Sequence, residues 1–331
     1  MRAWMIDSFT GIDKLRMADV PDPEPGPGEV LLRVEYAALN PADAYLAEGQ
    51  YPARPPLPHI LGRDGSGEII AVGAGVEEYR AGQKRAILRG DAGVTRWGTF
   101  AEQVVVPAES LIEIPEGWSA SEASCAALVT ITAFQALTQW DDLPSSAVIL
   151  ISGASGGVGV ASAQLGTAMG HTVIGLSRSA EKRRTLESMG VALALDPAGA
   201  KWRSSLGAFL GQRKVDLVID SVGGALFPEL IATLGDRGRV SVVGRLAGDV
   251  PRFNTATLLF RRVKIGGVAV GAYSNSESRN AWRSALELLH RSGARPLIDQ
   301  VFSFEELPAA FQRLAAGPMG KVLLRVGADG L

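Results

Sequence analysis

Cysteine is almost absent from this chain. Cys125 is the single one among 331 residues, so no disulfide can form within the chain, and a reducing, cytoplasmic compartment is the expectation. Histidine is nearly as scarce. His59, His171 and His290 fall on a proline-rich loop, a helix–strand junction and a helix, with no ligand spacing between them. Tetrahedral zinc takes thiolate or imidazole ligands, three in catalytic sites and four in structural ones, and this inventory cannot supply them, so no metal is expected. Neither sign of charge is in excess: a formal net charge of −2 with 21 % charged residues, and no stripe of basic and aromatic residues, argues against nucleic acid. An unbroken apolar run of about 18 residues, as a membrane span needs, is also missing. The opening Met1-Arg2-Ala3-Trp4-Met5-Ile6 passes from a short strand-like run into charged turns, without the apolar core of a signal peptide.

What the chain does have is the stretch Val148-Ile149-Leu150-Ile151-Ser152-Gly153-Ala154-Ser155-Gly156-Gly157-Val158-Gly159. A β-branched run too short for a helix meets a glycine-dense turn, and Val158, Ala161, Leu165, Ala168 and Met169 then repeat as one apolar helix face. Strand, tight turn and helix in that order gather unpaired backbone N–H groups at a helix N-terminus, where the dipole adds roughly half a positive charge. A phosphate fits there. Ala154-x-x-Gly157-x-Gly159 is a variant of the dinucleotide fingerprint with alanine at the first glycine position, and Ser155, Gly156 and Val158 fill the intervening places.

A chain of this length is long for one core and fits two domains. The first ~120 residues, rich in glycine and proline, carry short alternating runs such as Glu29–Tyr36 and Gly67–Val72 and read as a mostly β domain. Helical spacing then appears from Cys125 to Leu137. Strand-like runs at Thr172–Leu176, Ala192–Asp196, Val215–Asp220, Arg239–Val243 and Lys264–Val268 alternate with helical segments, which predicts a doubly wound parallel sheet. The tail adds a helix over Arg279–Arg291, a strand near Gln300–Phe302, a helix over Leu307–Ala315 and a strand over Val322–Val326. The sheet being already full, the tail should return to the first domain. The fold class is therefore α/β, with residues 1–122 and 273–331 in the β domain and 123–272 in the coenzyme domain.

The end of the second coenzyme-domain strand separates NAD from NADP, since a carboxylate there binds the ribose 2′-hydroxyl and an arginine accommodates a 2′-phosphate. Here it reads Ser177-Arg178-Ser179, with Lys182 one turn into the next helix. No acid fills the slot, and NADPH is the expected cofactor. Ser221 and Val222 after the fourth strand, Gly244 after the fifth and Val268 after the sixth stand at carboxyl ends of strands, where ligands bind in such sheets.

Together these segments resemble the zinc-independent, ζ-crystallin-like quinone oxidoreductase branch of the medium-chain dehydrogenase/reductase superfamily. The likeness is carried by Leu39-Asn40-Pro41-Ala42-Asp43-Ala44-Tyr45, Gly62-Arg63-Asp64-Gly65-Ser66-Gly67-Glu68, Gly98-Thr99-Phe100-Ala101-Glu102, Leu128–Leu137, Ala154–Gly159 with Gln164, Asp216–Gly224 and Gly320-Lys321-Val322. It implies a GroES-like β domain made from both chain ends, a Rossmann domain between them, an active site in the interdomain cleft and a homodimer. In the zinc branch a cysteine stands at Asn40 and a Gly-His-Glu at Gly62-Arg63-Asp64. The resemblance also implies Asn40 and Tyr45 as the polar groups that stabilise the acceptor oxygen, and Thr130 near the nicotinamide ribose. Arg63 departs from the family pattern, in which many members carry a small or uncharged residue beside the acid of that motif; with Asp64 it is placed in the substrate pocket, where Arg63 would pair with Asp64 or contact the substrate or the nicotinamide end. Asp43 could meet substrate or cap its helix, and the cap is expected; Lys321 could reach the cofactor or cap a surface strand, and the strand cap is expected. The activity implied is hydride transfer from NADPH to a quinone or α,β-unsaturated carbonyl. The alternatives are an enoyl-thioester or alkenal double-bond reductase and a non-catalytic NADPH-binding protein.

Overall fold

Apolar runs too short for helices become the strands of separate sheets, and each sheet collects its helices around it. The computed structural model describes residues 1–248 and 251–327. The chain divides into two compact units, one of Met1–Leu128, Tyr273–Arg279 and Pro296–Leu331, the other of Val129–Ala272 and Asn280–Arg295.

In the second unit six parallel strands lie in the spatial order Leu193–Leu195, Thr172–Leu176, Val148–Ile151, Val215–Asp220, Leu234–Val242, Lys264–Gly267. Counted along the unit, that is third, second, first, fourth, fifth, sixth, the doubly wound order whose reversal falls between the first and fourth strands. All four residues of Val148–Ile151 are buried, as an apolar strand covered by helices on both faces must be.

The first unit is built on the long strand Glu29–Ala38, which pairs antiparallel with Asp64–Val72, Gln103–Pro107 and the C-terminal strand Lys321–Arg325. Ile298–Ser303 lies parallel beside the last of these. A second, three-stranded sheet orders Arg16–Asp19, Arg2–Ile6 and His59–Ile60. Its core joins the two ends of the chain: Phe100 meets Phe311 edge-on at 5.9 Å between ring centroids, and Trp4 Nε1 donates to Phe304 O at 2.8 Å.

Two boundaries differ from the sequence expectation. The helix expected from Cys125 begins at Ala120 and runs to Thr138, because Ser119 and Glu122 form a reciprocal cap: the Ser119 amide donates to Glu122 Oε2 at 2.7 Å and the Glu122 amide to Ser119 Oγ at 3.1 Å. Ser274 and Glu277 repeat the device and start the tail helix at Asn275, running to Ser292. That helix corrects the expected return to the β domain at residue 273, since Asn280–Arg295 belong to the second unit. Ala120–Thr138 is, among the described residues, the one helix long and apolar enough to cross a membrane, and 72 % of its apolar window is buried inside the protein.

Candidate active-site residues

The glycine turn of the second unit has the geometry that its residues foreshadow. Gly153 sits at φ +59°, Gly156 is the N-cap of the helix Gly157–Ala168, and a Cβ on Gly159 would lie 2.3 Å from Gly153 O and 2.6 Å from Ala154 Cα. No side chain fits at 159, so the helix closes on the turn and leaves its first amides at the strand ends. The Ala154 amide donates to Leu176 O at 3.1 Å. This stitches the turn to the second strand, and Ser177 Oγ comes within 3.4 Å of Ser155 Oγ.

Across the topological switch, Asp220 holds the opposite wall. Its buried carboxylate accepts from the hydroxyl of Ser152 and from the amides of Val222 and Gly223 at 3.0 and 3.1 Å, while the Ser221 amide donates to Ser152 Oγ at 3.0 Å. Ser221 Oγ is buried without a partner among the described residues, a polar atom left for a ligand beside the phosphate turn. Gly244 donates its amide to Asp220 O at 3.3 Å, and Val268 donates to Val242 O at 2.9 Å. Ser221, Val222, Gly244 and Val268 therefore sit at the strand ends where the sequence places them. Thr130 is buried, 4 % exposed, in the long helix Ala120–Thr138.

At the end of the second strand Ser179 is the N-cap of the helix Ala180–Ser188, its Oγ accepting from the Lys182 amide at 3.4 Å. Arg183 Nη1 donates to Ser177 O and Arg178 O at 2.7 and 3.0 Å and pairs with Asp196 at 3.5 Å. Arg183 thus fixes the turn, and the exposed Arg178 guanidinium has no protein partner among the described residues. An uncommitted arginine and two serine hydroxyls, with no carboxylate, fit a 2′-phosphate.

The first unit holds a second constellation, a buried cluster of two acids and two bases. The irregular end of Glu29–Ala38 delivers Asn40 (6 % exposed), the helix Pro41–Ala47 delivers Asp43 (0 %), the strand Asp64–Val72 opens with Asp64 (1 %), and the C-terminal strand opens with Lys321 (5 %). Lys321 Nζ donates to Asn40 Oδ1 at 2.7 Å and to Asp64 Oδ2 at 3.0 Å. Asn40 Nδ2 donates to Asp64 Oδ2 at 2.9 Å and to Ala38 O at 3.3 Å. An ammonium can only donate and a carboxylate only accept, so these partners set the orientation of the Asn40 amide. Both of its N–H groups are engaged within the protein.

Arg63 is not paired with Asp64. Its Nε donates to Asp43 Oδ1 at 3.0 Å, its Nη1 to the Tyr51 hydroxyl at 3.2 Å, and its guanidinium carbon lies 4.9 Å from the Tyr51 ring centroid. The other Asp43 oxygen, Oδ2, accepts the Asn40 amide at 2.8 Å, so Asp43 does hold its helix start. Burial pushes the Asp43 carboxyl up, against the pull of the Arg63 guanidinium and the Asn40 N–H. Tyr45 is half-buried on the same helix. Lys321 is corrected from a surface cap to a buried member of this cluster. Strand parity gave no signal for it, because Lys321–Arg325 is buried on both faces. Tyr51, Arg183, Ser152 and Asp220 likewise carried none.

Cys125 takes no part in polar chemistry. It packs against Ala38 and Leu323, its thiol donates to Glu122 O at 3.3 Å, and burial pushes its pKa up to about 12. Among the described residues no three His, Cys, Asp or Glu side chains converge as a metal would need. A cavity of about 110 Å³ lined by Met1, Pro23, Arg96, Trp97, Gln103, Val104 and Val105 contains none of the residues above.

A switch-point dinucleotide turn on a doubly wound sheet, with a separate β unit bearing buried acid–base groups, defines a nicotinamide-dependent oxidoreductase. Residues 26–116 match the alcohol dehydrogenase GroES-like domain and 157–291 the zinc-binding dehydrogenase model. The synaptic vesicle membrane protein VAT-1 homolog of Rattus norvegicus is 30 % identical over 99 % of this chain and 85 % of its own length. A quinone oxidoreductase of Pseudomonas aeruginosa is 30 % identical over 93 % of this chain and 94 % of its own. Among solved structures, an NAD-dependent alcohol dehydrogenase superposes with a TM-score of 0.89 at 30 % identity, covering 99 % of this chain and 100 % of that one. A mycobacterial protein complexed with NADPH superposes at 0.88 with 25 % identity, covering 98 % and 100 %. The chain belongs to the medium-chain dehydrogenase/reductase superfamily, in its quinone oxidoreductase branch.

Proposed function

We propose that the protein is an NADPH-dependent, metal-independent reductase of quinones or α,β-unsaturated carbonyls. The observation that carries the metal-free part is Lys321, whose ammonium is seated between Asn40 Oδ1 and Asp64 Oδ2. Those two side chains stand at positions where the zinc branch has thiolate and carboxylate, and here they already satisfy a protein cation. A metal ion at the same oxygens would face the buried positive charge of Lys321 at hydrogen-bond distance.

NADPH is supported by the uncommitted Arg178, the facing hydroxyls of Ser155 and Ser177, and the missing acid at that strand end. The amides opening Gly157–Ala168 would hold the diphosphate, and Ser221 Oγ, orphaned and buried, would meet the same ligand. When bound, the reduced nicotinamide supplies the hydride. The protein's own contribution is to hold the acceptor and to stabilise the negative charge that arises on its oxygen. Asn40 is poorly placed to donate to that oxygen, both its N–H groups being committed. Its part is then to position the cluster, and Tyr45 and Arg63 are the groups assigned to that oxygen.

A homodimer is supported by the edge strand Lys264–Gly267, whose outer side pairs with no other strand among the described residues, with Ile265, Leu259 and Phe260 exposed beside it. Sedimentation would show a single species of twice the chain mass.

The deciding experiment measures oxidation of NADPH and NADH side by side against quinones, enones and crotonyl thioesters, with and without chelator. Turnover of quinones or enones with NADPH preferred and no chelator effect is expected. Chelator-sensitive alcohol oxidation would refute the proposal. Tight NADPH binding with no turnover of any acceptor would point instead to a non-catalytic binding protein.

A further inference from the structure

We propose that the Tyr51–Arg63 contact is an internal stand-in for substrate: Arg63 anchors the oxygen of a planar conjugated acceptor, and the Tyr51 phenol occupies that position until the acceptor displaces it. This rests on the reductase assignment above and deepens it by naming the residue that receives the acceptor.

A guanidinium has five N–H donors in a rigid fork. In Arg63, Nε is bound to Asp43 and Nη1 to the Tyr51 hydroxyl, but Nη2 is buried without a partner among the described residues. The side chain is 10 % exposed. Buried N–H groups left unmet are costly, so a guanidinium fixed in this way calls for another acceptor atom. The fixing is one-sided. Asp43, itself held by the Asn40 amide, clamps the Nε edge, while Tyr51 accepts from Nη1 and sets its ring 4.9 Å from the guanidinium carbon.

What Tyr51 presents to that edge describes the ligand. It is a flat conjugated ring whose centroid lies 4.9 Å from the guanidinium carbon, carrying an oxygen that accepts an N–H at 3.2 Å. A quinone, or the hydroquinone made from it, offers the same two features. Tyr51 belongs to the irregular segment between the helix Pro41–Ala47 and the strand His59–Ile60, so it can leave without breaking a strand pairing. Asp43 neutralises Arg63, which makes an uncharged carbonyl a better guest than a carboxylate or phosphate. Two-electron reduction of such an acceptor puts negative charge on its oxygen, and Arg63 would be the group that holds that charge.

The probe is 4-methoxybenzaldehyde, an uncharged conjugated carbonyl with the flat ring and acceptor oxygen that the site is argued to take. Its binding is measured by equilibrium dialysis on the full chain, with melting temperature as the folding control. Arg63→Met combined with Asp43→Asn, so that no carboxylate is stranded, should weaken binding about tenfold to a hundredfold. If that pair does not fold, Arg63→Lys, which keeps the charge beside Asp43 and loses the planar fork, serves the same comparison. Tyr51→Leu should tighten the probe and lower KM for an enone. Equal binding without the Arg63 fork, no binding by the wild type, or weaker binding in Tyr51→Leu would each overturn the proposal. Arg63-dependent probe binding in a protein that reduces no quinone or enone would instead refute the reductase assignment and leave the anchor standing.

Discussion

Replacing Lys321 by methionine tests the central cluster directly. The change keeps the length and apolar stem of the side chain and removes the ammonium that bridges Asn40 Oδ1 and Asp64 Oδ2 at 2.7 and 3.0 Å. Asp64, 1 % exposed, then keeps the Asn40 amide at 2.9 Å but no neighbouring cation. Arg63 cannot substitute, because it is committed to Asp43 at 3.0 Å. Removing one partner of a buried ion pair costs about 3–5 kcal/mol, a large share of the roughly 5–15 kcal/mol by which domains are stable. Adding Asp64→Asn removes the stranded charge, and the double variant should recover most of the loss, to within about 1–2 kcal/mol of the wild type. Urea titrations of the wild type, Lys321→Met, Asp64→Asn and the double variant, followed by tryptophan fluorescence and circular dichroism, close the cycle. A Lys321→Met midpoint within about 1 kcal/mol of the wild type would mean that the lysine is solvated and the cluster does not exist as described.

Three further outcomes are expected. Gly159→Ala places a Cβ 2.3 Å from Gly153 O and should destabilise the second unit by about 1–3 kcal/mol while abolishing dinucleotide binding; normal NADPH titration by fluorescence would refute the tight turn. Arg178→Ala should weaken NADPH far more than NADH, whereas Arg183→Ala, which loosens the Ser177–Arg178 carbonyls, should weaken both; equal losses in Arg178→Ala would remove it from the 2′-phosphate. Burial depresses the pKa of His59 and of His171, whose Nδ1 accepts the Ala147 amide at 3.2 Å. Below the ordinary histidine value the unfolded chain then binds more protons than the folded one, so stability is full above about pH 6.5 and declines as pH falls below it, by at most about 1.4 kcal/mol per unit for each histidine. Urea midpoints at pH 7.5 and 5.5 measure this, and a flat profile would contradict it.

Local chemistry made much of the molecule legible beforehand. The strand-turn-helix around Gly153–Gly159 is written in consecutive residues, because a phosphate turn needs glycine where backbone approaches backbone, and that need is local. Apolar runs such as Val215–Asp220 and Leu307–Ala315 give elements with those bounds for the same reason. Helix starts at Ala120 and Asn275 were also present, as Ser-x-x-Glu caps, but lie upstream of the apolar spacing that sequence periodicity follows.

Pairing between charged side chains far apart in the chain is another matter. The sequence by itself determined two domains, the nucleotide turn, the scarcity of metal ligands and the missing carboxylate after Leu176. Only the folded chain decided that Lys321 is buried against Asn40 and Asp64, that Arg63 turns to Asp43 and Tyr51, and that Asp220 and Ser152 weld the switch point. A lysine at a strand start has the same local pattern whether its face meets water or a carboxylate 257 residues away. Which of the two holds depends on the strand it joins, and here antiparallel pairing of Lys321–Arg325 with Glu29–Ala38 brings it beside Asn40.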